Sequence, residues 1–244
     1  MEMNKSFQTQ SIASDGFQTQ TMTKTFVSNV FSWMGIGLGI TALVSYLFGT
    51  TPEYLGMLYN PVSGMTTLGW IVTFAPIGFV LAMGLGFQKL PSTALLTLFL
   101  VYSFVMGMSL SFIFVIYSMG SLASTFAVTS AMFGFMAFLG YTTNTDLTKF
   151  GSLMMMGLFG IIIASVVNFF LQSSGMDYII SFLGVLIFTG LTAYDVQKIK
   201  RIGSGVEYGS EAANKLAIMG ALSLYLDFIN LFLFLLRFLG GRRS

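Results

Sequence analysis

The sequence predicts an all-α integral membrane protein with seven transmembrane helices. Three observations carry that prediction: 244 residues that are 55% hydrophobic and only 8% charged, apolar runs of about 18 residues or more recurring along the chain, and no apolar–polar alternation inside them. An ordinary soluble domain is about 25% charged, and a soluble fold could not cover its surface with so few charges. Each run is long enough to cross a hydrocarbon core of about 30 Å at about 1.5 Å per residue. A barrel would need strands of about 10 residues with alternating polarity, and the run Leu153–Phe170 shows none.

The residues before the first run, 1–26, are rich in Gln, Thr and Ser, with Lys5 and Lys24 but no apolar centre. They do not resemble a signal peptide and read as a disordered polar cytoplasmic tail, followed by a membrane domain, 27–240, and a short basic tail, 241–244. The spans fall at Val27–Phe48, Leu68–Phe87, Ser92–Tyr117, Leu122–Tyr141, Ser152–Leu171, Tyr178–Lys198 and Leu216–Leu239. In the first, Gly35 and Gly39 are spaced for close helix approach in lipid. The string Gly35-Ile36-Gly37-Leu38-Gly39 is no nucleotide loop, because no strand precedes it. Pro76 interrupts the second run as a kink, serving as a hinge or simply in packing. Asn168 in the fifth reads as an interhelical hydrogen-bond partner.

Orientation follows from charge. With the N-terminus in the cytoplasm, the outer connections hold Glu53 or Asp177 and no Lys or Arg, while the inner ones hold Lys89, Lys149, Lys198, Lys200, Arg201 and Lys215. Arg242 and Arg243 fall outside after seven crossings, unless the last helix dips in and returns. The net charge of +2 is scattered over run ends, which excludes a nucleic-acid partner. The chain has no Cys and no His, so thiol chemistry is excluded and a response near neutral pH has to come from carboxylates.

Two carboxylates stand out, because a charge at bilayer depth costs about 2.5–3.5 kcal/mol on insertion scales. Asp195 ends the sixth run, three residues before Lys198, and Asp227 lies near the middle of the seventh. Asp195 can be read as one half of an interfacial ion pair with Lys198, and Asp227 as a protonated or salt-bridged packing residue. Brought together, the two would not both ionise freely, and their titration would belong to the pair. Deprotonated, they are hard oxygen ligands for Ca²⁺, with Asn230, three residues on, or water completing the shell. By rise per residue, Asp227 is roughly 17 Å from the inner start of its run and Asp195 about 5 Å from the end of its own. Level pairing therefore requires the seventh helix to be shifted.

These segments, Gly190-Leu191-Thr192-Ala193-Tyr194-Asp195 with Gln197-Lys198-Ile199-Lys200, and Gly220 through Asp227 to Phe232, resemble the Bax inhibitor motif family, in particular its bacterial members. The likeness includes Ala75-Pro76, Gly140-Tyr141-Thr142-Thr143 and Ser165-Val166-Val167-Asn168. It implies a seventh helix surrounded by two groups of three, and a pH-sensitive Ca²⁺ leak controlled by Asp195 and Asp227 as the ion-binding, pH-sensing pair. It implies no enzymatic activity and no bound cofactor; Ca²⁺ and protons are the passengers. Tyr194, Lys198 and Asn230 are the supporting residues. An arginine of the second helix latches one aspartate in the family; this span has none, and Lys89 is the only cation near it. Localisation would be the bacterial inner membrane.

An intramembrane aspartyl protease also sets acids on two helices, but its Gly-x-Gly-Asp motif is replaced here by Leu224-Tyr225-Leu226-Asp227. A retinal protein needs a lysine mid-helix, and Lys215 is at the entrance. A non-transporting regulator that binds a membrane protease or other membrane protein, and a proton/cation exchanger, stay open.

Overall fold

The computed structural model describes residues 2–207 and 209–241, with side chains from Thr21 onward. In chain order it contains α1 (Glu2–Thr50), α2 (Pro52–Leu58), a short hairpin of β1 (Tyr59–Asn60) and β2 (Gly64–Met65), α3 (Thr67–Gly86), α4 (Ser92–Leu110) and α5 (Ile113–Ile116). Then follow α6 (Met119–Thr142), α7 (Thr148–Leu171), α8 (Ser174–Gly203) and α9 (Glu211–Leu239). Seven helical segments are long and apolar enough to cross a membrane: residues 21–50 of α1, α3, α4 continuing through α5, and α6 to α9. Each predicted run coincides with one of them to within a residue or lies inside it.

Helix starts follow the local sequence. Ser118, Ser173 and Ser210 stand at N-caps, where each hydroxyl accepts a backbone N–H of the first turn, from Ser121, Met176 and Ala213 respectively. Starting from Ser210, α9 runs 29 residues without a break, about 44 Å at helical rise. It crosses and does not dip back. Arg242 and Arg243 lie outside the described residues.

The packing is built around α9, which touches α1, α4, α6 and α8. On one side α4 holds α1 and α3, and on the other α8 holds α6 and α7, so α9 is central between two three-helix groups. Within the most apolar stretch of α9, 61% of residues are buried inside the protein, against 6% for α7, which packs at the edge of the bundle against α8. A polar relay pins α9 to the first group: the Tyr225 hydroxyl donates to Thr41 Oγ1 over 2.6 Å, which donates to the Ser103 carbonyl over 2.8 Å. Phe99 and Tyr102 meet the Tyr225 ring edge-on.

Two sequence expectations, on Gly35 with Gly39 and on Asn168, are corrected here. Helix α1 starts at Glu2, within the segment 1–26 that the sequence reads as a polar tail. No proline interrupts it, and from Thr21 it belongs to the first span, with Phe26 buried against Gly203. Gly35 and Gly39 make no close approach: a Cβ at either would meet nothing within 4 Å. The contact falls at Gly37, where a Cβ would lie 2.7 Å from the Phe99 ring, because the buried face of α1 is that of Val30, Met34, Gly37 and Thr41. Asn168 bonds locally instead of between spans. Its Oδ1 accepts the Ser173 N–H at 3.0 Å, closing the turn in which Gln172 takes a left-handed conformation.

Candidate functional site

Helical rotation of about 100° per residue puts positions two apart on nearly opposite faces. With Tyr225 held toward α1 and α4, Asp227 is therefore turned toward α7 and α8. There it enters a cavity of about 490 Å³ between α7, α8 and α9 that Asp195 also lines, together with Ser165, Ser223 and Asn230 and otherwise apolar side chains. Asp227 is 5% exposed, and its Oδ2 is buried without a hydrogen-bond partner. Asp195 is half-buried.

The required axial shift is present. Ile199 of α8 packs at Gly220 of α9; Asp195 stands one turn above that contact and Asp227 nearly two. The two acids are thus offset by about 5 Å, one helical turn. They face one chamber, with no hydrogen bond between the carboxylates. Among the described residues, Asp195 and Asp227 are the only titratable side chains lining it.

The supporting residues divide. Asn230 lines the cavity and commits its Nδ2 to the Leu226 carbonyl at 2.8 Å, which leaves its oxygen as the end able to face a cation. Tyr194 packs its ring on Gly151 of α7 and does not line the chamber. Lys198 is exposed and forms no ion pair with Asp195; the ion pairs among the described residues are Arg201–Asp146 and Arg237–Asp177. One residue of sequence separation from the buried stripe of Val196, Gln197 and Ile199 turns its stem outward. Lys89 is likewise exposed on the α3–α4 connection and does not line the chamber. The cation that reaches the end of α3 is Lys215 of α9, whose Nζ donates to the Phe87 carbonyl at 3.4 Å.

Just below the chamber, α8 fastens the α6–α7 connection. Gln197 accepts the Leu147 N–H at 2.8 Å and donates to the Thr145 carbonyl at 2.7 Å, and Lys200 Nζ donates to the Tyr141 carbonyl at 2.7 Å. Arg201 pairs with Asp146 at 3.0 Å. Hydrogen bonds from the Thr148 hydroxyl and amide, helped by Arg201, hold the Asp146 carboxyl down at about 2. A depressed acid contributes its stability above the unfolded value, near 4, and loses it only as pH falls through the folded one. Asp146→Asn is therefore expected to leave any response between pH 5 and 8 at the same midpoint, while tryptic cleavage at Lys149 becomes faster as the connection loosens.

Residues 23–244 match the family model described as Inhibitor of apoptosis-promoting Bax1. The chain belongs to the Bax inhibitor motif family. Among similar proteins, one from Borreliella burgdorferi, without an assigned role, is 47% identical over 220 residues, 90% of this chain and 93% of its own. The inner membrane protein YbhL of Escherichia coli K12 is 41% identical over 221 residues, with the same coverage. A membrane protein of Streptococcus pyogenes serotype M6 is 37% identical over 217 residues, 88% of this chain and 92% of its own. The match to the Bax inhibitor model takes in all seven spans and both aspartates. In this member each family segment brings one acid to the chamber, and Gln197 and Lys200 of the α8 segment also bind the Tyr141–Leu147 connection. The outer ion pair of Arg237 with Asp177, at 3.4 Å, is missed by the sequence reading. Its only sequence signal is an arginine near the outer end of the last span, opposite the acid that opens the sixth.

Proposed function

We propose that this protein is a pH-sensitive calcium leak of the bacterial inner membrane, with Asp195 and Asp227 as the shared proton- and cation-binding pair. The observation that carries the reading is the buried Asp227 Oδ2, unpartnered in a chamber that a second carboxylate also lines. A carboxyl group there is stable only as the protonated acid or, when ionised, with a cation beside it. Two carboxylates, the Asn230 oxygen and the Ser223 hydroxyl are hard donors suited to Ca²⁺, but fewer than the six to eight it takes. Water completes the shell, which makes this a site of transit and not of storage. The name of the Escherichia coli relative supports the inner membrane as location, and the charge bias of the connections supports a cytoplasmic N-terminus.

Ca²⁺ has to displace a proton from the pair, so by linkage its binding tightens as pH rises. In proteoliposomes, Ca²⁺ flux is expected to depend on pH between 5 and 8, and Asp227→Asn is expected to flatten that dependence, with Asp195→Asn shifting it. Absence of flux from folded protein at every pH would overturn the leak and favour a regulator that binds another membrane protein. Uphill Ca²⁺ movement driven by an imposed proton gradient would replace the leak with an exchanger.

A further inference from the structure

The two three-helix groups meet α9 from either side, but on the cytoplasmic half α1 and α6 hardly touch each other. The seam between them is a cleft of about 340 Å³ walled by Val27, Phe31, Ala137 and Phe138, with Ser28 at its lip. At its cytoplasmic end stand Lys24 and Tyr141. The same two residues also line a second cavity, of about 610 Å³, whose cations among the described residues are Lys24, Lys200 and Arg201 and whose only acid among them is Asp146. A cationic chamber at the membrane surface thus opens into an apolar cleft that descends between two spans.

We propose that this composite site binds an anionic phospholipid of the cytoplasmic leaflet, its phosphate among Lys24, Lys200 and Arg201 and one acyl chain in the α1–α6 seam. The charge arithmetic favours it. Arg201 neutralises Asp146, at 3.0 Å, and Lys24 and Lys200 remain as net positive charge. Lys200 is positioned and not mobile: its Nζ is fixed by the Tyr141 carbonyl at 2.7 Å and lies 5.0 Å from the Tyr141 ring centroid, with two N–H donors to spare. The chamber is also lined by Thr143, Asn144 and Ser204, which supply neutral donors for phosphate oxygens or glycerol. A soluble anion would use the cations and leave the cleft empty; a zwitterionic lipid would fill the cleft and gain little from the lysines. Only an anionic lipid matches both halves. This assigns a role to Tyr141, Thr143 and Lys200, which the carboxylate pair does not use, and the bound lipid would brace the two groups against each other at their seam.

The test uses the full chain in a neutral detergent, following the thermal unfolding midpoint against added dioleoyl phosphatidylglycerol, dioleoyl phosphatidylcholine or sodium phosphate. Phosphatidylglycerol is expected to raise the midpoint saturably, at roughly tenfold lower concentration than phosphatidylcholine, with no shift from phosphate. Each of Lys24→Gln and Lys200→Gln is expected to raise the half-effective concentration about fivefold, the ratio for one basic residue at an anionic surface. Ser28→Phe keeps every cation and fills the cleft, and is expected to abolish the lipid effect. If Lys200→Gln fails to fold, Lys24 and Ser28, both exposed, carry the test. Equal response to the two lipids, an undiminished response in Lys24→Gln and Ser28→Phe, or a phosphate shift equal to that of the lipid would each overturn the proposal.

Discussion

Asp227→Leu is expected to raise thermal stability while abolishing pH-dependent Ca²⁺ flux. The carboxylate is 5% exposed, with an oxygen that has no partner, so the folded protein retains a group whose burial is not compensated. Replacing buried ionic groups by apolar ones of similar volume is often neutral or stabilising by about 1–4 kcal/mol. The neighbouring chamber, about 490 Å³, gives a leucine room to turn without overpacking. An acid kept for transport should show this opposition of stability and activity. Unfolding midpoints in one detergent, together with flux in liposomes, measure both quantities. A loss of more than about 1 kcal/mol would make Asp227 a packing residue and remove the basis of the proposed function. Asp195→Leu should gain less, since Asp195 is only half-buried.

The second large effect is expected at Gly140, where backbone packing and not charge decides. A Cβ there would collide with the carbonyl oxygen, carbonyl carbon and Cα of Ala193. All three are backbone atoms, so no side chain can swing away, and α6 and α8 would have to separate. Overpacking typically costs about 1–3 kcal/mol, against a gain of about 1 kcal/mol in helix propensity for replacing glycine. Here the backbone contact decides the sign, and Gly140→Ala is expected to destabilise by about 2 kcal/mol. Because Asp195 follows two residues after Ala193, the same separation should alter the pH response. Gly134, on the same helix, is the control: a Cβ there meets nothing within 4 Å, so Gly134→Ala should be neutral or slightly stabilising. Equal effects at both sites would show that the α6–α8 contact is softer than its geometry implies.

The residues differ in how far their roles could be read from the chain. Asp227 was legible because it is an acid inside an unbroken apolar run, and no packing is needed to see its cost. Asn230 was legible by its place three residues on. The exposure of Lys198 and Lys89 was not legible, because nearness in sequence to an acid or a helix end does not fix where a long side chain points. Gly35 and Gly39 were misread for a related reason: the string Gly35-Ile36-Gly37-Leu38-Gly39 offers glycines on more than one face, and only contact with Phe99 selects Gly37. Arg237 was passed over because its partner, Asp177, is 60 residues away.

The sequence by itself determined the seven crossings and the presence of one deep acid, and its loop charges set the expected direction through the membrane. Those properties are sums of transfer free energies over about 20 residues, and charges at the ends bias them regardless of which helices become neighbours. Tertiary structure alone decided that α9 turns Tyr225 toward α1 and Asp227 toward α7, that Asp195 comes within one turn of it, and that α1 and α6 leave a seam. In lipid both the buried and the exposed faces of a helix are apolar, so hydrophobic pattern does not announce rotation or register. Close backbone contacts and a few buried hydrogen bonds set them instead.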